Sequence, residues 1–378
     1  VELAASGHEA PLFIELADGV HETARVTAGE LLARSSRLAG QLRQNGLAPG
    51  DVALLIATPA VEFLVGLFGC MFAGVIAAPS GFPRRPEHLE SRLTPVRTNA
   101  GATAIVAGPP QGEAEGRVLD LLAEGAVPVV STVASGDPIG VPGRHDVAYL
   151  QYTSGSTGDP RGVIVTHDAL LDNIAIAAQH IDLNETTVTV SWCPLTHDMG
   201  LIMGALSSVA LGATGVLMPP AAFIRRPLTW LQAFDRYRGT HGYSPNFGFD
   251  LCVDRSTPEE RAEIDLSSVQ CLINGAEPVR RRTRDRFLEA FARSGFRPEA
   301  YSPGYGLAES SVFVSSTGLT TPGRVFHLLA DPLERNEVEF CEADDPGARE
   351  LCGSGHLAAG YRALIVDSVE ETVLPEGR

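Results

Sequence analysis

The sequence predicts an α/β protein built on a largely parallel sheet with helices on both faces, and three observations carry that expectation. Short buried apolar runs alternate with segments of helical spacing along most of the chain. Glycine and proline mark the stops between them. The 378 residues, 44% hydrophobic and 20% charged, describe a globular chain large enough for more than one core and two or three subdomains.

The elements follow in order. Leu31, Leu32, Leu38, Ala39 and Leu42 recur at helical spacing from Ala28 to Asn45, and Gly46 supplies a stop. DVALLIA (Asp51–Ala57) then reads as a buried strand, Val61–Ala73 as a helix, VIAAPS as a strand and GFPRRP as a loop. ATAIVAG, AVPVVST and VAYLQYT continue the strand series. Further on, TVTVSWCP, TGVLMPP, GTHGYSP and VQCLING are strands, with helices expected over Leu201–Leu211, around Leu228–Tyr237 and from Asn246 onward. Beyond Val314 the regularity fades: Ser316–Arg349 is acidic and irregular, and ELCGSGHLAAGYRALIVDS reads as the start of a smaller β-rich element.

Charge and cysteine usage exclude several functions. Acidic residues (46) outnumber basic ones (29), and a net charge of −17 opposes a non-specific grip on nucleic acid or an anionic membrane. The six cysteines are widely spaced with no C-x-x-C pair, which argues against a zinc site or a disulfide scaffold and for reduced thiols in a cytoplasmic protein. No apolar run reaches membrane-spanning length, and VELAASGHEA lacks the basic-then-apolar order of an export signal. The chain contains no lysine, so all 29 basic residues are arginine.

The stretch LQYTSGSTGDPRGVIVTH (Leu150–His167) sets a hydroxyl- and glycine-rich loop between two strands. Gly155 and Gly158 let backbone N–H groups approach an anion, and Thr153, Ser154, Ser156 and Thr157 add hydroxyl donors, the composition of a phosphate cradle. A polar hairpin loop has the same local composition, and the flanking strands and downstream residues favour the cradle. It is not a Walker loop, because G-x-x-x-x-G-K-[ST] cannot be laid over GSTGDPRG without a lysine.

YTSGSTGDPRGVIVTH resembles the phosphate-binding signature of the adenylate-forming enzymes, the superfamily of acyl-CoA ligases, luciferases and peptide-synthetase adenylation domains. WCPLTHDMGLIMG (Trp192–Gly204), INGAEPV (Ile273–Val279) and YSPGYGLAESSVFVS (Tyr301–Ser315) follow in that family's order. The wording PL-x-HDMGL, SPNFGFDLC (Ser244–Cys252) and GAEPV is similar to the fatty-acyl-AMP ligase branch. The resemblance implies the family's large N-terminal domain: two parallel-type sheets packed with helices plus a smaller β-rich subdomain. The expected divisions are a first α/β subdomain over 1–150, a second with the ATP site over 151–315, a family-type insertion over 316–349 and the start of the β-rich subdomain over 350–378.

The implied reaction joins a carboxylate to the α-phosphorus of ATP and releases pyrophosphate, a task of positioning and charge neutralisation with no side-chain nucleophile. The resemblance assigns the catalytic roles to His197, Glu309, Thr157 and Arg161. Thr153, Ser154, Gly155, Ser156, Thr157 and Gly158 would hold the phosphates, with Arg161 where many relatives carry lysine. Glu309 would hold Mg²⁺. Tyr305 would stack on adenine beside Gly306 and Leu307, with Gly275, Ala276 and Glu277 as the opposite wall. His197 would orient and stabilise charge at the acyl carboxylate and α-phosphate rather than transfer a proton. Asp198, Met199, Gly200, Ser244, Asn246, Phe247 and Gly248 would line the acyl route, although Thr196 replaces an aromatic residue common in the family. Asp235, in FDRY, reads as a solvated helix charge, and Arg280–Arg286 as a solvated basic helix face.

Two features set the expected acceptor and competence. The family's mobile C-terminal domain carries a lysine at the forming acyl-phosphate, preceded by an aspartate in a T-G-D stretch, and after YGLAE the sequence shows neither. ATP and acyl-adenylate binding with poor adenylation is the resulting expectation for this part alone. The 34 residues between Ser315 and Glu350 match the insertion that follows YGLAE in fatty-acyl-AMP ligases, which favours transfer to the phosphopantetheine thiol of an acyl carrier protein. An acyl-CoA ligase, an aryl or amino-acid adenylating enzyme of the same fold, and a non-catalytic nucleotide-binding relative are the alternatives.

Overall fold

The computed structural model describes residues 2–5, 9–56, 58–83, 89–125, 127–139, 146–153, 160–367 and 369–375. Two sheets organise them. The first runs in the order Val129–Ser131, Ala104–Ala107, Val52–Ile56, Ile76–Pro79, Val147–Thr153, Arg161–Thr166. Its first five strands are parallel and the last closes an antiparallel hairpin. The central strands are buried on both faces, which is why VALLI and AIVA read as continuous apolar runs rather than alternating ones.

The second sheet has nine strands, in the order His356–Leu357, Phe313–Ser316, Tyr301–Gly306, Cys271–Asn274, His241–Ser244, Val188–Ser191, Thr214–Leu217, Pro11–Leu16, Glu22–Thr27. Its six middle strands, from Tyr301–Gly306 to Pro11–Leu16, are parallel, with antiparallel partners at either end. Sheet membership crosses the expected division at residue 150. The first two strands in the chain lie at one edge of the nine-stranded sheet, and Arg161–Thr166 completes the six-stranded one.

Helix boundaries follow the sequence signals. Ala28–Gln44 starts in a capping box, where Glu30 N–H donates to Thr27 Oγ1 at 3.3 Å and Thr27 N–H to Glu30 Oε2 at 2.9 Å. Leu228–Tyr237 has the expected bounds and presents Trp230, Leu231 and Phe234 to the core. Trp192 stacks on Phe223 at 4.0 Å beside Trp230, and Phe249, Phe287 and Tyr301 extend the same aromatic core.

The helix expected over Leu201–Leu211 differs. Met199–Leu206 is a π-helix, followed by a short α-helix over Ser207–Leu211. The wide turn lets the backbone at position 200 sit where a Cβ would meet the Pro194 carbonyl oxygen at 2.2 Å, so only glycine is admitted. Within 316–349, expected to be irregular, Val325–Leu329 pairs antiparallel with Ala348–Cys352 around the short helix Ala330–Glu334.

One buried carboxylate ties the two layers. Glu15, 2% exposed in an edge-proximal strand of the nine-stranded sheet, accepts from Ala60 N–H at 2.7 Å and Val61 N–H at 3.4 Å. These are first-turn donors of helix Ala60–Ala73, which packs on the other sheet. Burial pushes the Glu15 carboxyl above its ordinary value, against the two backbone donors. Glu15→Ala orphans those donors and should cost about 1–3 kcal/mol by chemical denaturation. Glu15→Gln keeps an acceptor and should lose much less. Because the folded-state value is raised, the folded protein holds this proton more tightly than the unfolded chain, so stability falls as pH rises from the ordinary carboxyl value through the folded one, and Glu15→Gln should lack that part of the wild-type pH dependence.

Candidate active site

A cleft of about 380 Å³ is lined by residues at or just past the carboxyl ends of strands from both sheets. Gln151 and Tyr152 come from the six-stranded sheet; Tyr243, Ile273, Gly275 and Ala276 come from the nine-stranded one, with Gly304–Glu309 beside them. His197, Asp198, Met199 and Met203 enter from the π-helix and the turn before it. Carboxyl ends of parallel strands are where α/β sheets leave a crevice that connecting segments do not fill.

Close backbone approach forms one wall. A Cβ at Gly306 would meet the Val312 carbonyl oxygen at 1.6 Å, and one at Gly304 would meet Ile273 Cγ2 at 2.9 Å. The Tyr305 ring between them is 54% exposed into the cleft, the posture of a stacking surface rather than a core side chain. Facing strand Tyr301–Gly306, Gly275 comes within van der Waals reach of Gly304, and Ala276 holds φ at +65°, a left-handed conformation rare for a residue with a Cβ.

The strain at Ala276 is held by Asn246. Asn246, 1% exposed, donates from Nδ2 to the Pro278 carbonyl at 2.9 Å and accepts at Oδ1 from Arg280 N–H at 3.0 Å and Asn274 Nδ2 at 2.9 Å. Asn274 Nδ2 also reaches Tyr301 Oη at 2.6 Å. The side chain expected on the acyl route thus fastens the 274–280 turn. Ser244 is buried with Oγ donating to the Pro245 carbonyl at 2.9 Å, and a Cβ at Gly248 would meet Trp192 Cζ2 at 2.8 Å. Phe247 is exposed and meets Trp192 edge-on at 5.5 Å. None of these four lines the cleft.

His197 and Asp198 act as a unit. Asp198 Oδ1 receives Met199 N–H at 2.7 Å, capping the π-helix, and lies 2.7 Å from His197 Nδ1. A proton on Nδ1 satisfies that contact and leaves Nε2 as the nitrogen available to a ligand. Hydrogen bonding to Asp198 raises the His197 imidazole above its ordinary value, against partial burial, so the cationic ring is favoured. Met199 lines the cleft with it, whereas Gly200 is spent on packing against Pro194.

The remaining expected residues are placed as follows. Leu307 and Glu309 line the cleft, Glu309 exposed in the 3₁₀ turn Ala308–Ser310. Glu277 is half-buried, 3.9 Å from Arg280, and does not line it. Arg161 is exposed at the start of strand Arg161–Thr166, opposite Thr153 in the hairpin register. Ser154, Gly155, Ser156, Thr157 and Gly158 lie outside the described residues, and Thr153 closes its strand. Among the described residues no cluster of three His, Cys, Asp or Glu could hold a metal alone. Glu309 by itself fits a hard cation that takes its other ligands from phosphate and water, the usual arrangement for Mg²⁺.

Gln151, Tyr243 and Met203 line the cleft without having been singled out in the sequence. Gln151 stood in the flank of the hydroxyl loop, which is the one signal that pointed to it. Tyr243 lies in the short strand GTHGYSP and Met203 in the apolar helix after HDMG, and neither position carries a signal of its own.

Replacing Asp198 by Asn keeps an acceptor for Met199 N–H but removes the charge beside the imidazole. The His197 ring should then titrate at lower pH than in the wild type, read by proton–carbon NMR. An unchanged titration would mean that Asp198 does not set its charge.

Residues 3–378 match the family model described as AMP-binding enzyme. Over 369 residues the chain is 35% identical to Long-chain-fatty-acid--AMP ligase FadD32 of Mycolicibacterium smegmatis, covering 93% of this chain and 58% of that protein. Over 366 residues it is 34% identical to Medium-chain-fatty-acid--[acyl-carrier-protein] ligase JamA of Moorena producens, covering 93% of this chain and 61% of that one. Among solved structures, the fatty acyl-adenylate ligase from L. pneumophila in complex with acyl adenylate and pyrophosphate aligns with a TM-score of 0.85 at 31% identity, over 94% of this chain and 62% of its own. The chain spans about three fifths of the length of these relatives. A matched model over nearly all its residues, on an α/β fold whose cleft gathers Tyr305, Glu309 and His197, establishes that this chain belongs to the AMP-binding enzyme family.

Proposed function

We propose that the protein containing this chain activates a carboxylic acid, a fatty acid by preference, with ATP to give acyl-adenylate and pyrophosphate. The observation that carries this reading is one cleft holding an exposed aromatic face, Tyr305, between close-packed backbones, an exposed carboxylate at Glu309 and an imidazole biased toward its cation at His197. Adenine stacks on Tyr305 and against the Gly275–Ala276 backbone. The hydroxyl loop Thr153–Gly158, with Arg161, takes the β- and γ-phosphates. Mg²⁺ held at Glu309 supplies charge neutralisation on the phosphates when bound. His197, its Nδ1–H given to Asp198, turns Nε2 to the acyl carboxylate and α-phosphate and stabilises the charge that grows there.

The acceptor reading is a carrier-protein thiol, supported by the insertion-length segment after YGLAE and by the printed name of the Moorena relative. The protein acts in the cytoplasm on this reading, consistent with cysteines that are all unpaired thiols. No helix among the described residues is long and apolar enough to cross a membrane.

ATP–pyrophosphate exchange by the full-length protein tests the assignment. Fatty-acid-dependent exchange should occur, fall about a hundredfold in kcat for His197→Ala, and show a raised KM for ATP in Tyr305→Ala. Exchange untouched by both changes would contradict it. With acyl carrier protein and CoA offered separately, thioester should form on the carrier; efficient acyl-CoA formation would overturn the acceptor.

A further inference from the structure

Two polar atoms of residues in the cleft wall have no partner among the described residues. Tyr243 is 1% exposed, and its hydroxyl meets no donor or acceptor. Gln151 is 2% exposed; its Nε2 donates to the Thr196 carbonyl at 2.9 Å, which fixes the amide and leaves Oε1 without a partner among the described residues. Both side chains line the same cleft, with Met199, Met203 and Ile273 as its apolar surface. Buried polar atoms are almost always satisfied, by protein, water or ligand, so two without a protein partner beside one cleft mark it as a place to receive a polar group. An apolar wall with two such atoms suits a largely hydrocarbon ligand bearing a polar group.

We propose that the acyl group taken by this cleft is hydroxylated, and that Gln151 Oε1 and Tyr243 Oη are the groups that recognise its hydroxyl. The proposal rests on the acyl-adenylate reading above and narrows its substrate class. Gln151 Oε1 only accepts, so its partner must bring a hydrogen; a keto oxygen brings none. An ammonium would need a carboxylate; of the two that line the cleft, Asp198 already serves His197 and Met199 N–H, and Glu309 is the one assigned to the cation at the phosphates. Burial holds the Tyr243 phenol well above its ordinary value, so it remains a neutral hydroxyl able to donate or accept.

The test is calorimetric binding of acyl-sulfamoyl adenosines to the full-length protein: an unsubstituted alkanoyl chain, the same chain hydroxylated at successive carbons, and the keto counterparts. At least one hydroxylated member should bind about tenfold more tightly than the unsubstituted and keto chains, the size of one net hydrogen bond. That preference should shrink to less than about twofold in Tyr243→Phe and in Gln151→Met. Tyr243→Phe should also melt no lower than the wild type without ligand, because it removes an unsatisfied hydroxyl. Equal binding of unsubstituted and all hydroxylated chains, or a preference that survives both substitutions, would overturn the proposal while leaving acyl-adenylate binding in place. Failure of every analogue to bind would instead remove the acyl-adenylate reading itself, and this proposal with it.

Discussion

The cleft depends on backbones standing closer together than any side chain permits. At Gly306 a Cβ would lie 1.6 Å from the Val312 carbonyl oxygen, and at Gly304 it would press on Ile273. That closeness turns the Tyr305 ring outward, because its neighbours leave no interior for it. The facing turn is held by Asn246, whose amide spends all three of its observed hydrogen bonds on residues 274, 278 and 280, and this keeps Ala276 in a left-handed conformation that would otherwise relax. A flat slot between two fixed backbones is thereby present before any ligand arrives, which removes part of the ordering cost of binding.

A second constraint joins helix geometry to charge. Asp198 both caps the π-helix Met199–Leu206 and holds the His197 ring, so the wide helical turn and the imidazole share one carboxylate. Gly200 permits the helix to start there by seating against Pro194. A chain with a net charge of −17 and no lysine can still receive an anion, because the relevant field is local. The raised His197 imidazole beside a bound anion counts for more than distant surface carboxylates, whose influence solvent and salt screen beyond about 8 Å.

Much of this was legible in the sequence, and the exceptions have physical reasons. Ala28–Gln44 and Leu228–Tyr237 carry a 3.6-residue apolar period and clear ends, so their bounds emerged closely. Nothing was expected before residue 28, yet Pro11–Leu16 and Glu22–Thr27 are strands. Glu15 inside the first makes it look amphipathic, and its burial becomes intelligible only when the N-terminus of helix Ala60–Ala73 is seen above it. The motif containing Asn246 pointed to the turn beside the cleft, but spacing cannot say whether an amide faces a ligand or the backbone beside it. Tyr243 and Gln151 escaped for the opposite reason: a tyrosine in an apolar strand and a glutamine between strand residues look like core and edge, and only their unpartnered atoms mark them.

The central claim is that adenosine binds between Tyr305 and the Gly275–Ala276 turn. Photolabelling with 8-azido-ATP, followed by peptide mapping, tests it most directly. Label should fall within residues 273–279 and 301–309 and disappear when excess acyl-sulfamoyl adenosine is present. Label concentrated elsewhere, for example in the separate apolar cavity of Leu31, Phe68 and Phe72, or label indifferent to the competitor, would contradict the account.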